Sequence, residues 1–170
     1  MFLDILRYIF IGLLLVLLQF YLVQEVNFGT WIKPLPYIYL LFILPFQSNK
    51  FLSLFIGFAL GFFLDAISDT YGMHAAAGVS LAFIKHYVDK GLIDIDAIQL
   101  QGYSYLTPGW KGFRFYAVYT LLLIFIHHFI FFSLDYFKFS SFFLILAVSI
   151  FSTIVSFLFI LLFLSVSGRR

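Results

Sequence analysis

Two aspartates and a histidine, Asp65, Asp69 and His74, fall within ten residues in "GFALGFFLDAISDTYGMHAAAG" (57–78), in a chain that otherwise avoids charge. Carboxylate and imidazole are the groups of general bases and of metal ligands. His127 and His128 form a second imidazole pair, in the middle of an apolar run. Neither set is complete. A metal centre needs further ligands and a hydrolase needs a nucleophile beside its base, and Ser68 with His74 alone supplies neither. No Walker loop, H-E-x-x-H, nucleophile elbow or nucleotide fingerprint occurs. No catalytic, cofactor-binding or metal-ligating residue is assigned, and the expectation is a protein that is not an enzyme and carries no cofactor. His127 and His128 point about 100° apart on a helix, so at most one shares a given interface. They read as buried, hydrogen-bonded histidines.

The elements that must position these residues are set by composition. The chain has 170 residues, of which 64% are hydrophobic and 11% charged, and its mean hydropathy is +1.07. A soluble domain of this length cannot hide so much apolar surface, so lipid is the expected solvent. Phe accounts for 26 residues, mostly as expected lipid-facing surface. Cys is absent, which excludes disulfides and thiolate chemistry. A net charge of +2 is too small to suggest nucleic acid.

A bilayer core about 30 Å thick asks for roughly 20 apolar residues per helix. Six runs qualify: Ile5–Val23, Pro34–Phe46, Phe51–Leu64 (extendable to Thr70), Met73–Val88, Phe115–Leu134 and Phe142–Val166. The first is too long for a signal-peptide core and no A-x-A site follows it, so it reads as a retained span. The middle runs are short, and short spans that still cross are surrounded by other helices. With the N-terminus inside, Arg7, Lys50, Lys85, Lys90, Lys111, Arg114, Arg169 and Arg170 are cytoplasmic and only Lys33 and Lys138 are outside. That asymmetry predicts six spans with both termini cytoplasmic, in one domain covering 1–170. The loop 89–114 is then cytoplasmic. Its "LIDIDAIQL" reads as a short strand or an interfacial segment, with Trp110, Lys111 and Arg114 as headgroup anchors. The loop serves as a connector or as a docking surface for a cytoplasmic partner.

Gly57, Gly61, Asp65 and Asp69 recur at intervals of four, which puts them on one helix face, and His74, Gly78 and Ala82 form a second such face. Small residues let helix backbones approach closely in lipid. Asp65 lies about 22 Å along the helix from Lys50, and a carboxylate in the hydrocarbon costs on the order of 2.5–3.5 kcal/mol. It must face protein, find a partner or be protonated. Packing the two faces brings His74 toward Asp69 or Asp65, while Gly72 permits the reversal between helices. Three uses stay open: a structural polar knot, a docking site for another membrane protein, and catalysis or ion binding. Gln19, Ser149, Ser152, Thr153 and Ser156 read as interhelical hydrogen-bonding groups.

The 57–78 stretch resembles the signature of the MreD family of bacterial rod shape-determining membrane proteins, roughly G-x-x-x-G-x-x-x-D followed by a turn and G-x-H-A. The matching positions are Gly57, Gly61, Asp65, Gly72, His74 and Ala75. Length and span pattern extend the resemblance over the chain, and "TPGWKGFRFY" (107–116) looks like the Bacteroidetes-type branch. The resemblance implies a non-enzymatic scaffold of the elongasome in the bacterial inner membrane, supporting cell shape and side-wall peptidoglycan synthesis. The implied partners are MreC most directly, then RodA, the elongation-specific penicillin-binding protein and MreB, besides membrane lipids. The implied fold is an all-α integral membrane protein of six transmembrane helices, similar to the substrate-binding subunits of energy-coupling-factor transporters. That similarity supplies the rival function, a small-molecule-binding transporter subunit. Such subunits typically carry an A-x-x-x-A face on span one, which "FIGLLLVLLQF" (10–20) lacks. Helix-packing or partner-docking residues are therefore expected at Gly57, Gly61, Asp65, Asp69, Gly72, His74 and Gly78.

Overall fold

The computed structural model describes residues 2–24, 29, 31–44, 49–100, 107–137 and 139–166. Lys138, Arg169, Arg170 and the Phe46 end of the second apolar run lie outside them. Every regular element among the described residues is helical. Helix α1 (Phe2–Leu18) continues as a π-helical turn over Gln19–Gln24. The second run is not one long helix. It is extended over 32–35, makes a 3-10 turn at Pro36–Ile38, and has a single α-helical turn, α2 (Tyr39–Phe42). The reason is local: Pro34 and Pro36 lack N–H donors, and each pushes its preceding residue out of the α region. Leu35 accordingly sits at φ −125°, ψ 67°.

Helix α3 (Lys50–Ser68) is capped by Asn49, whose side chain accepts from the Phe51 N–H. Helix α4 (Met73–Leu92) follows after the 69–72 turn and runs one turn beyond the apolar run that marked it. The "LIDIDAIQL" stretch holds no strand. It contains a short helix, α5 (Ile95–Leu100), with the Ala97 N–H donating to Asp94. Two long helices, α6 (Gly112–Tyr136) and α7 (Phe142–Val166), complete the chain. Trp110 packs within the chain. Its ring is buried, edge-on to Phe115, with the Lys111 ammonium over its face and Lys111 and Arg114 exposed.

Three helices, Lys50–Ser68, Gly112–Tyr136 and Phe142–Ser165, are long and apolar enough to cross a membrane. Neighbouring elements run antiparallel. In α3 and α4, Lys50 meets Tyr87 and Gly57 meets Gly78. In α4 and α6, His74 meets Phe131 and Asp89 meets Tyr119. In α6 and α7, Phe129 meets Phe142 and Tyr116 meets Phe157. The irregular 32–44 segment lies against α1, α6 and α7, and Leu35 to Leu44 are all buried. Buried backbone without a helical partner must be satisfied by side chains. Ser152 accepts from the Lys33 N–H at 2.8 Å, Ser156 accepts from the Leu35 N–H at 2.9 Å, and Gln19 donates to the Pro34 carbonyl at 3.3 Å. These polar residues of the π-helical turn after α1 and of α7 thus serve the segment between them. Ser149 instead bonds the Ile145 carbonyl of its own helix.

Candidate functional site

The α3–α4 seam is built from glycine. A Cβ on Gly57 would lie 2.7 Å from the Gly78 carbonyl oxygen, and one on Gly78 would lie 2.6 Å from the Gly57 carbonyl. A Cβ on Gly61 would run into the Ala75 backbone and the His74 carbonyl. The two backbones touch, and only residues without side chains allow it. One turn further, Asp65 is buried and both of its oxygens are engaged within the chain. Oδ1 accepts from the Thr70 hydroxyl and, at 3.0 Å, from the His74 N–H; Oδ2 accepts from the Ala75 N–H at 2.9 Å. His74 and Ala75 are the second and third residues of α4, whose own N-cap, Gly72, has no side chain to offer. Asp65 therefore caps α4 from the preceding helix, where a carboxylate also complements the positive end of the helix dipole.

The reversal needs left-handed backbone at Asp69 (φ 53°), Tyr71 (φ 50°) and Gly72 (φ 90°). Gly72 adopts it without the Cβ clash that the other two accept. Asp69 and Tyr71 are exposed, Tyr71 at 95%. Of the seven candidate residues, Gly57, Gly61, Asp65, His74 and Gly78 meet at the seam, while Asp69 and Gly72 lie in the turn beyond it.

The His74 imidazole does not meet a carboxylate. Its backbone N–H bonds Asp65, and its ring points the other way, against Phe131 and toward the Tyr37 hydroxyl at 3.2 Å. That hydroxyl also lies 2.9 Å from His127 Nε2. Tyr37 has one proton between two ring nitrogens, so at least one imidazole must donate to it. His127 Nδ1 has no partner and is buried. A bare buried acceptor is commoner than a bare N–H, which assigns the His127 proton to Nε2, donating to Tyr37, with Tyr37 donating to His74 Nδ1. His128 is also buried but faces elsewhere: its Nδ1 lies 2.9 Å from the Ile124 carbonyl and its Nε2 lies 3.1 Å from Ser156 Oγ. With the proton on Nδ1, Ser156 donates to His128 and accepts from Leu35. The two histidines are thus both buried, on different partners, as their 100° separation requires.

Tyr37 is the residue that sequence reasoning missed. Its only local signal is a hydroxyl inside "PLPYIYLLF" (34–42), which a buried tyrosine must pair. A second buried polar group lies at the far end of α4, where Lys85 pairs with Asp89 at 2.6 Å and the Tyr119 hydroxyl donates to Asp89. The Lys–Asp spacing of four was readable as a same-face pair. Among the described residues, no three His, Cys, Asp or Glu side chains converge as a metal site would need. No family model, curated protein or solved structure matches the chain.

Proposed function

We propose that this chain is a membrane-embedded scaffold that works by helix–helix contact, in the manner of the MreD family, as a subunit of the bacterial elongasome. The observation that supports it is the use made of the 57–78 stretch. Its glycines hold two backbones together, and its buried carboxylate is saturated by Thr70, His74 and Ala75. What the hairpin offers outward is shape, together with the exposed Asp69 and Tyr71 on a turn with unfavourable backbone angles. The proposed partner is MreC, within an assembly that includes RodA, the elongation-specific penicillin-binding protein and MreB.

In this reading the chain crosses the inner membrane six times with both termini cytoplasmic. The 32–44 segment is the second crossing, which its burial permits despite its irregular backbone. The test is co-purification of MreC in mild detergent with wild type and with Tyr71→Ala. Tyr71 makes no buried packing, so recovery should fall about tenfold, roughly 1.4 kcal/mol, with the melting temperature unchanged. Undiminished recovery would remove the turn from the interface.

A specific observation keeps a small-molecule-binding subunit as the second reading. Gln19 Oε1, His127 Nδ1 and Thr153 Oγ1 are buried without hydrogen-bond partners, as ligand-facing atoms would be. Mass spectrometry on denatured purified protein decides it: a stoichiometric small molecule favours the binder.

A further inference from the structure

At the end of the α3–α4 hairpin away from the 69–72 turn, Lys50 opens α3, and α4 carries Phe83, His86, Tyr87 and Lys90. Lys50 reaches across the seam. Its Nζ donates to the Tyr87 hydroxyl at 3.0 Å and stands 4.5 and 4.8 Å from the centroids of the Phe83 and Tyr87 rings. Those rings lie 4.9 Å apart, so the ammonium is held by two aromatic faces and a hydroxyl. An ammonium has three N–H donors, and Tyr87 uses one. The charges that bear on His86 are Lys90, Lys50, Asp89 and Lys85. Lys85 and Asp89 neutralise each other, and Asp89 is closed off further by Tyr119. Among the described residues no carboxylate pairs with Lys50 or Lys90.

The surface next to these cations is apolar. Phe51 and Phe55 on α3 are 76% and 66% exposed, and Phe83 and Tyr87 on α4 are about half exposed. Two ammonium groups with no carboxylate partner among the described residues, beside a histidine and at the head of an aromatic wall, complement a ligand with an anionic head and hydrocarbon tails. We propose that this end of the hairpin is a binding site for an anionic phospholipid, its phosphodiester at Lys50, His86 and Lys90 and its acyl chains along Phe51, Phe55 and Phe83. The site stands on its own geometry, whether or not the chain joins the elongasome.

Native mass spectrometry of the full-length protein in mild detergent tests it, by titration with phosphatidylglycerol or with phosphatidylcholine of the same acyl chains. Wild type should retain one phosphatidylglycerol in preference to phosphatidylcholine. The K50Q/K90Q double variant should lose phosphatidylglycerol affinity about tenfold with phosphatidylcholine binding unchanged. K111Q/R114Q, which removes two exposed cations elsewhere, should match wild type. Lys90→Gln alters an exposed side chain and so guards against a folding defect in the double variant; alone it should weaken retention about threefold. Equal retention of the two lipids by wild type, an undiminished Lys90→Gln or double variant, or equal loss in K111Q/R114Q would each overturn the proposal. So would displacement of the lipid by millimolar inorganic phosphate, which would make the site one for free anions.

Discussion

Asp65 is the clearest case of a costly residue whose location explains it. An unpaired carboxylate in hydrocarbon is expensive, yet this one accepts from two backbone N–H groups and a hydroxyl, the donors that the start of α4 would otherwise leave bare. Two of the three facing groups are backbone N–H donors, one on each carboxylate oxygen. Asp65→Asn turns one acceptor into an NH2 group that opposes a donor, so it should destabilise the hairpin by about 1–2 kcal/mol. The check is thermal melting of wild type and variant in the same detergent, with Asp69→Asn, at an exposed position, as the neutral comparison. An Asp65→Asn protein that melts with wild type would mean that the carboxylate is protonated or serves something outside the chain.

At the scale of elements, the seam between α3 and α4 is a contact of backbone on backbone that the glycines permit. Gly61 faces the Ala75 backbone, and Phe62, the next residue and about 100° further round the helix, is 59% exposed. Gly61→Leu must push the helices apart and move the Asp65 cap off α4. It should cost more than the ~1–3 kcal/mol typical of overpacking, because backbone rather than side chain is in the way. Phe62→Leu should be close to neutral. Monodisperse yield on size exclusion in detergent measures both, and equal yields would refute the seam. The 32–44 segment is the complementary case. Its prolines keep 32–35 out of a helix, so the backbone there depends on Gln19, Ser152 and Ser156, and its position is set by its neighbours.

For the whole molecule, the ends of the bundle are chemically distinct. One end holds the 69–72 turn and the Lys33–Asp135 pair. The other holds Lys50, the Lys85–Asp89–Tyr119 group, Lys90, Lys111 and Arg114. The excess of basic residues at the second end sets the expected orientation, with that end cytoplasmic. Topology reporters inserted in the 69–72 turn and fused after Arg170 should read outside and inside respectively. The same side for both would exclude the six-crossing arrangement.

What the sequence determined by itself is what composition and local period can carry. Apolar runs mark α3, α6 and α7, the three helices long and apolar enough to cross a membrane, because each run depends only on its own residues. The four-residue recurrence of Gly57, Gly61 and Asp65 was legible as one face, because a helix places such positions in line whatever it packs against. Tertiary structure alone decided where the imidazoles went. His74 was expected to turn toward a carboxylate nearby in sequence, but its ring joins Tyr37, 37 residues away, which in turn pairs with His127 at a separation of 90. It likewise decided that the second run is a buried irregular strap, bonded to serines more than a hundred residues on. A hydrogen bond leaves no periodic trace in the chain when its partners belong to different elements. Which donor meets which acceptor is fixed only when the helices pack and water is excluded, so that a buried polar group can pair only with what the packing brings within reach.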